Sequence, residues 1–119
     1  MNISFPRGRE NEARDYYLGL LGMNEIPKPE PSASRGGAWF VAGNLSIHIS
    51  PEDDFKPSKQ AHMAIICDEY IALRTKLETN GFEIKDDDEL EGVNRFFTFD
   101  IFGNRIELID NDSPAYKNG

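Results

Sequence analysis

The stretch that decides the fold is Phe99–Leu108, FDIFGNRIEL, which repeats a pattern found 59 residues earlier in Phe40–Ile49, FVAGNLSIHI. Both stretches begin with phenylalanine, contain a Gly-Asn pair typical of a turn, and end in an alternating apolar strand. Further matches at the same offset are Ala13 with Ala72, Leu18 with Leu77, Gly22 with Gly81, and His48 with Glu107. A constant offset across a helix, its terminal glycine and two strands indicates a duplicated supersecondary unit.

Each half of the chain predicts one helix and four strands. The helices, Glu10–Leu21 and Glu69–Asn80, have apolar stripes at helical spacing and stop at a glycine. The predicted strands are Ile3–Phe5, Asn24–Ile26, Ala38–Ala42 and Leu45–Ser50 in the first half, and His62–Cys67, Phe82–Lys85, Arg95–Phe99 and Arg105–Asp110 in the second. Pro27–Gly37 reads as a loop, and the acidic stretch Asp86–Gly92 reads as a solvated or substrate-covering loop.

This pattern predicts an α+β fold of two βαβββ modules in one domain, residues 1–119. The predicted divisions are a first module at 1–50, a linker at 51–60, a second module at 61–110 and a tail at 111–119. A sheet with a helix on one face leaves its other face open. Two such faces are expected to form a cupped, barrel-like mixed sheet that encloses a ligand cavity.

Composition narrows the class of partner. With 13 basic and 21 acidic residues the formal charge is −8, which disfavours nucleic acid and would attract, weakly, a cationic ligand. No apolar run approaches the roughly 20 residues of a membrane span, and MNISFPRGRE lacks a signal-peptide core, so we expect a cytoplasmic protein without a membrane partner. The single cysteine, Cys67, lies in an apolar run and reads as a core residue rather than a nucleophile.

Strand alternation points to a candidate site. The apolar residues of Leu45–Ser50 and of Arg105–Asp110 should pack on the helices, which turns His48 and Glu107 toward the cup. His62, at the start of its strand, can point the same way. Two imidazoles and a carboxylate suit Zn, Ni, Mn or non-haem Fe. Taken singly, each residue is more often a hydrogen-bonded or solvated side chain than a metal ligand.

The motifs resemble a known superfamily. Asp100–Leu108 is similar to the D-P-F-G-N-R-x-E-L signature of the vicinal-oxygen-chelate superfamily, the glyoxalase, bleomycin-resistance and ring-cleaving dioxygenase group, with Ile101 at the proline position. Ala13–Met23 resembles its A-R-x-F-Y…L-G-L helix. Arg35–Phe40 and Lys59–His62 resemble short bacterial members.

The resemblance implies a divalent metal held from the first, fourth, fifth and eighth strands. His48, His62 and Glu107 fall on the last three positions. The first-strand ligand would precede Pro6–Glu10 by enough residues to lie ahead of Met1. Either the chain as given begins late, which the shortness of the first strand favours, or the protein has three ligands or has lost the metal.

The resemblance also implies a reaction. The metal would chelate two adjacent oxygens of a small-molecule substrate, and Glu107 would move protons as the catalytic residue of a lyase or isomerase. Ring-cleaving dioxygenation and thiol transfer to an epoxide are alternatives. So is metal-free drug sequestration, in which Trp39, Phe97 and Phe99 could line the cup, although such aromatics are more often core. A homodimer is expected by analogy.

Overall fold

Each half of the chain folds into a four-stranded mixed sheet in the same strand order. The computed structural model describes residues 1–57 and 62–117, in two compact units with the boundary after Pro57. The strands of the first unit are β1 Asn2–Pro6, β2 Asn24–Ile26, β3 Ala38–Ala42 and β4 Leu45–Glu52. Their order is β1-β4-β3-β2, with β1 parallel to β4 and the other neighbours antiparallel.

The second unit repeats this arrangement. Its strands are β5 Met63–Cys67, β6 Lys85–Asp87, β7 Arg95–Phe99 and β8 Arg105–Asp110, in the order β5-β8-β7-β6. The parallel pair is β5 with β8. The predicted fold class, α+β with two βαβββ modules, is therefore confirmed.

One helix covers each sheet. In the first unit α1, Glu10–Arg14, continues as a π-helical segment, Asp15–Leu20, in which the amide of Leu21 donates to the carbonyl of Tyr16. In the second unit α2 spans Tyr70–Thr79. A short helix α3, Pro114–Lys117, and a 3₁₀ turn, Ser32–Arg35, lie in segments that the sequence predicted as tail and loop.

The cores lie between each helix and its sheet. Tyr17 stacks on Phe40 with ring centroids 5.4 Å apart, and Tyr70 contacts the ring of Phe96 at 5.3 Å. The residues with at most 1 % exposure include Phe5, Tyr16, Tyr17, Phe40, Ile47 and Ile49 in the first unit and Leu77, Phe96, Ile106 and Leu108 in the second. Because Ile47, Ile49, Ile106 and Leu108 alternate along β4 and β8, the residues between them lie on the opposite, helix-free face.

Several element boundaries differ from the sequence prediction. The strand predicted at Phe82–Lys85 is displaced to Lys85–Asp87, because the amide of Phe82 donates to Leu77 and closes the end of α2. β1 and β4 are longer than predicted, so β1 has an ordinary length of five residues. β5 begins one residue after His62. In Lys59–His62, the segment that resembles short bacterial members, residues 59–61 lie outside the described residues.

The match of Phe40 with Phe99 was wrong. Trp39 of β3 lies opposite His48, and Phe97 of β7 lies opposite Glu107. Trp39 therefore corresponds to Phe97, and Phe40 does not correspond to Phe99. The two hairpins differ in length, with two residues between β3 and β4 and five between β7 and β8. Phe99 consequently lies on the helix-free face, while Phe40 is fully buried against the helix.

Among the described residues, none of the helices has the length and apolar character needed to span a bilayer.

Candidate functional site

Two of the three predicted ligands meet in the second unit. Glu107 lies on the helix-free face of β8, and His62 immediately precedes the neighbouring strand β5. The Nε2 atom of His62 is 2.8 Å from Oε1 of Glu107, and the His62 ring stands edge-on to Phe97 with centroids 5.3 Å apart. The imidazole is 30 % exposed and the carboxylate 8 %, so this pair is shielded but reachable.

Arg95 holds the second oxygen of this carboxylate. It lies on β7, and its Nη1 donates to Oε2 of Glu107 at 2.9 Å while its Nη2 donates to Asp87 at the same distance. Burial alone would raise the pKa of Glu107. The hydrogen bonds with Arg95 and His62 outweigh burial and hold that pKa below its ordinary value. Glu107 is therefore an ionised carboxylate at neutral pH, the form that binds a cation.

An aromatic ring forms the floor beside this carboxylate. The guanidinium carbon of Arg105 lies 4.1 Å from the centroid of Phe97, and that of Arg95 lies 5.2 Å from it. Phe97 is 7 % exposed and stands directly opposite Glu107 in the antiparallel register. The helix-free face thus combines two guanidinium groups, a carboxylate and an imidazole around one ring.

The third predicted ligand, His48, belongs to the first unit. It lies on the helix-free face of β4 and stacks on Trp39, with centroids 4.1 Å apart and planes 8° from parallel. Desolvation lowers the pKa of His48, and the N-terminal ammonium and Lys28 lower it further. The imidazole is therefore neutral at pH 7, which is the form that binds a metal.

A cavity of about 670 Å³ opens beside His48 within the first unit. Besides His48 and Trp39, its lining includes Arg7, Lys28 and Arg35. Trp39 thus lines a cavity. The sequence had left open whether this residue lines a cavity or packs in the core. Phe97 lies on the helix-free face beside Glu107, as expected from the alternation of residues along β7.

The donor chemistry of His62 and Glu107 fits a divalent ion. Adjacent ligands of an octahedral ion, each about 2.1 Å from it, lie about 3 Å apart, and these two atoms, now joined by a hydrogen bond, are 2.8 Å apart. Because Arg95 occupies Oε2, Glu107 would bind through Oε1 alone. Neither unit, within its described residues, gathers three or more His, Cys, Asp or Glu side chains suited to a metal. A complete ligand set would therefore need further donors, such as substrate or water.

Arg95 is a member of this cluster that the sequence prediction missed. The signal was available, because Arg95, Phe97 and Phe99 alternate along β7 and must share the face of their cross-strand neighbour Glu107. Cys67, by contrast, behaves as predicted. Burial raises the pKa of its thiol to about 11, so the thiol is protonated and unreactive at neutral pH.

Comparisons with known proteins agree with this architecture. No family model and no curated protein matches the sequence. A solved structure of a glyoxalase family protein from Bacillus anthracis is 43 % identical, with a TM-score of 0.87, over 93 % of this chain and 91 % of that chain.

Two further structures share the fold at lower identity. A variant of the fosfomycin resistance protein FosX from Listeria monocytogenes, in complex with Mn(II) and 1S,2S-dihydroxypropylphosphonic acid, is 16 % identical at a TM-score of 0.75, over 92 % of this chain and 87 % of that chain. The antibiotic-binding protein TnmS3 from Streptomyces sp. CB03234 is 18 % identical at 0.66, over 92 % of each chain. Given the duplicated modules and the 43 % identity to a glyoxalase family protein, this chain belongs to the glyoxalase family of the vicinal-oxygen-chelate superfamily.

Proposed function

We propose that the protein is a divalent-metal-dependent lyase or isomerase that acts on a small substrate with two adjacent oxygens. The observation that carries the proposal is the shielded cluster of His62, Glu107 and Arg95 on the helix-free face of the second sheet. A bound divalent ion would act as a Lewis acid toward the substrate oxygens. His62 and Glu107 would hold that ion, with His48 as the third protein ligand. Zn, Ni, Mn and Fe are all compatible with these donors.

Glu107 would be the residue that moves protons. Arg95 fixes the orientation of its carboxylate through Oε2 and keeps it ionised, and Oε1 would receive a proton from substrate once it leaves the ion. Phe97 excludes water from one side of the carboxylate, because its ring packs under Arg95 and Arg105. In the metal-free protein His62 orients Oε1 through the hydrogen bond between the two side chains.

Metal uptake tests this proposal. After dialysis against Mn, Ni, Zn or Fe(II), elemental analysis should find about one ion per chain. His48→Ala, His62→Ala and Glu107→Ala should each weaken the affinity for the metal at least tenfold, a loss of about 1.4 kcal/mol or more in binding free energy. Glu12→Ala, which removes an exposed carboxylate paired with Arg9, is the matched control.

Two results would contradict the proposal. One is an absence of uptake for all four metals by the folded protein. The other is full uptake by His62→Ala and Glu107→Ala with native circular dichroism.

A metal-free binding protein is the second candidate function. The cavity beside Trp39 and His48, at about 670 Å³, is large enough for a small drug-like molecule. Chelation discriminates the two functions, because a sequestering protein keeps its ligand affinity after metal removal and a metalloenzyme loses its activity.

We also propose that the protein is a cytoplasmic homodimer. β1 and β5 are sheet-edge strands, and β5 carries Ile66, which is 59 % exposed. An exposed apolar residue on an unpaired edge favours association. Light scattering of the purified protein measures the oligomeric state.

A further inference from the structure

The cavity of the first unit is positively charged, although the chain as a whole carries a formal charge of −8. We call it the β4 cavity and define it by Arg7, Lys28, Arg35, Trp39, His48 and Ser50. Three of these side chains are cationic, and none of the residues that line the cavity is acidic. The serines Ser32, Ser34 and Ser50 add hydroxyl groups. The lining therefore offers donors and positive charge to a ligand.

The three cationic side chains differ in how much of their charge is balanced by a partner within the protein. Arg7 forms a 2.5 Å ion pair with Asp53, but both side chains are more than half exposed, so solvent screens this pair. Lys28 donates one hydrogen bond to the carbonyl of Gly36, a neutral partner, which leaves its charge uncompensated. Within residues 1–57 and 62–117, Arg35 forms no ion pair. At least two full positive charges thus face the cavity.

The loop that carries these groups has a defined shape. Gly37 lies so close to β4 that a Cβ atom there would stand 2.2 Å from the carbonyl oxygen of Ile49. The 3₁₀ turn Ser32–Arg35 puts Ser32 and Arg35 on the same side, because residues three apart eclipse each other in that helix. Glu10, the nearest acid on α1, turns its Oε2 to the amide of Gly37 and does not line the cavity. The backbone of this loop is therefore held against β4 before any ligand arrives.

We propose that the β4 cavity binds the acidic group, phosphoryl or carboxylate, of a small ligand. Arg35 and Lys28 would pair with the anion, and the serine hydroxyls would donate to its remaining oxygens. The ring of Trp39 would lie beside the rest of the ligand. This site shares His48 with the proposed metal site but includes neither His62 nor Glu107, and the cationic side chains would bind the anion whether or not a metal binds.

The only tryptophan of the chain lies in this cavity, so its fluorescence reports binding directly. Metal-free protein would be titrated at constant ionic strength with inorganic phosphate and, separately, with acetate, and chloride would serve as the reference salt. We expect a saturable change with at least one of the two anions. A response to phosphate identifies a phosphoryl ligand, and a response to acetate alone identifies a carboxylate.

Variants decide whether the β4 cavity is responsible. Arg35→Gln should weaken the binding of the anion about tenfold, the effect of one charge-assisted hydrogen bond. Arg35 is exposed and makes no ion pair with described residues, so its replacement should not disturb the fold. Lys28→Gln should weaken binding to a similar extent. Lys56→Gln removes an exposed cation outside the cavity and should leave affinity unchanged.

Two outcomes would overturn the assignment. One is a fluorescence response to phosphate and acetate no larger than the response to chloride. The other is an Arg35→Gln affinity equal to that of Lys56→Gln. Neither outcome bears on metal uptake, which is measured in the absence of these anions, so the two proposals fail separately.

Discussion

At the residue scale, Asp100 explains why the D-x-F-G-N stretch recurs as a signature. Asp100 is 4 % exposed, and its Oδ1 accepts hydrogen bonds from the amides of Phe102 and Asn104, while its Oδ2 accepts one from the Asn104 side chain. One buried carboxylate thus satisfies the turn between β7 and β8. Ile101 replaces the proline of the family pattern at a position that is 40 % exposed, where the turn does not depend on it.

Replacement of Asp100 should therefore destabilise the protein. Asp100→Ala leaves two turn amides without their carboxylate partner, and we expect a loss of about 3 kcal/mol in the free energy of unfolding. Urea denaturation followed by circular dichroism measures this loss. Asp54→Ala, at an exposed acid, should change stability by less than about 0.5 kcal/mol. Equal stability of the two variants would show that the hydrogen bonds of Asp100 do not hold the turn.

Residue patterns predicted part of the candidate site and missed the rest for a physical reason. Alternation placed Glu107 on the helix-free face, and the structure brings His62 within hydrogen-bond distance of it. Alternation along a single strand could not find Arg95, because its role depends on a cross-strand neighbour. The total charge of the chain gave no indication of the cationic β4 cavity, since Lys28 and Arg35 gather there only through the fold of the loop.

At the element scale, four of the strands were predicted to the residue and the others were not. β2, β3, β7 and β8 occupy the predicted spans. β6 was misplaced because its residues, Lys85–Asp87, are polar and are held by ion pairs from Arg74 and Arg95 rather than by apolar burial. The π-helical segment Asp15–Leu20 has no distinctive sequence pattern and could not be separated from an ordinary helix.

The stability of the first unit should be sensitive to substitutions where the β2–β3 loop approaches β4. Gly37 and Gly8 have nearly equal φ values, +88° and +86°, so an alanine at either position carries the same backbone penalty. Only at Gly37 would the added Cβ meet a backbone atom, the carbonyl oxygen of Ile49. We expect Gly8→Ala to cost about 1 kcal/mol and Gly37→Ala to cost at least about 2 kcal/mol more.

Chemical denaturation followed by the fluorescence of Trp39, which lies two residues from Gly37, measures this difference. Similar losses in the two variants would mean that the loop moves away from β4 without cost. In that case the preformed shape of the β4 cavity would also be in doubt.

At the scale of the whole molecule, the duplication preserved a framework while the two halves diverged in chemistry. Both central strands present a titratable residue opposite an aromatic ring, His48 opposite Trp39 and Glu107 opposite Phe97. In the first unit the surroundings are cationic, and in the second they combine Arg95 and Arg105 with carboxylates. A repeat that keeps the position and changes the residue is a direct way to place different functional groups at equivalent points of two sheets.

The carboxylates paired in the second unit make stability depend on pH. A backbone hydrogen bond from Glu89 and the bond from Arg95 lower the pKa of Asp87, and in Glu107 the hydrogen bonds of Arg95 and His62 overcome the opposing effect of burial. A carboxylate whose pKa is lower in the folded state stabilises the fold above its unfolded pKa of about 4, and this contribution is lost as the pH falls. The free energy of unfolding of metal-free protein should therefore decrease between about pH 5 and pH 3.

Arg95→Gln should remove part of this dependence, because both carboxylates lose the cation that holds them ionised. We expect a loss of about 2 kcal/mol at pH 7, since Arg95 and Glu107 are largely shielded from solvent, and a smaller further loss on acidification. Arg9→Gln removes the same charge from an exposed pair with Glu12 and should change neither quantity measurably. Urea denaturation of the three proteins from pH 7 to pH 3 gives both quantities. If the pH dependence of Arg95→Gln matched that of the unmodified protein, Arg95 would not be the group that keeps Glu107 ionised.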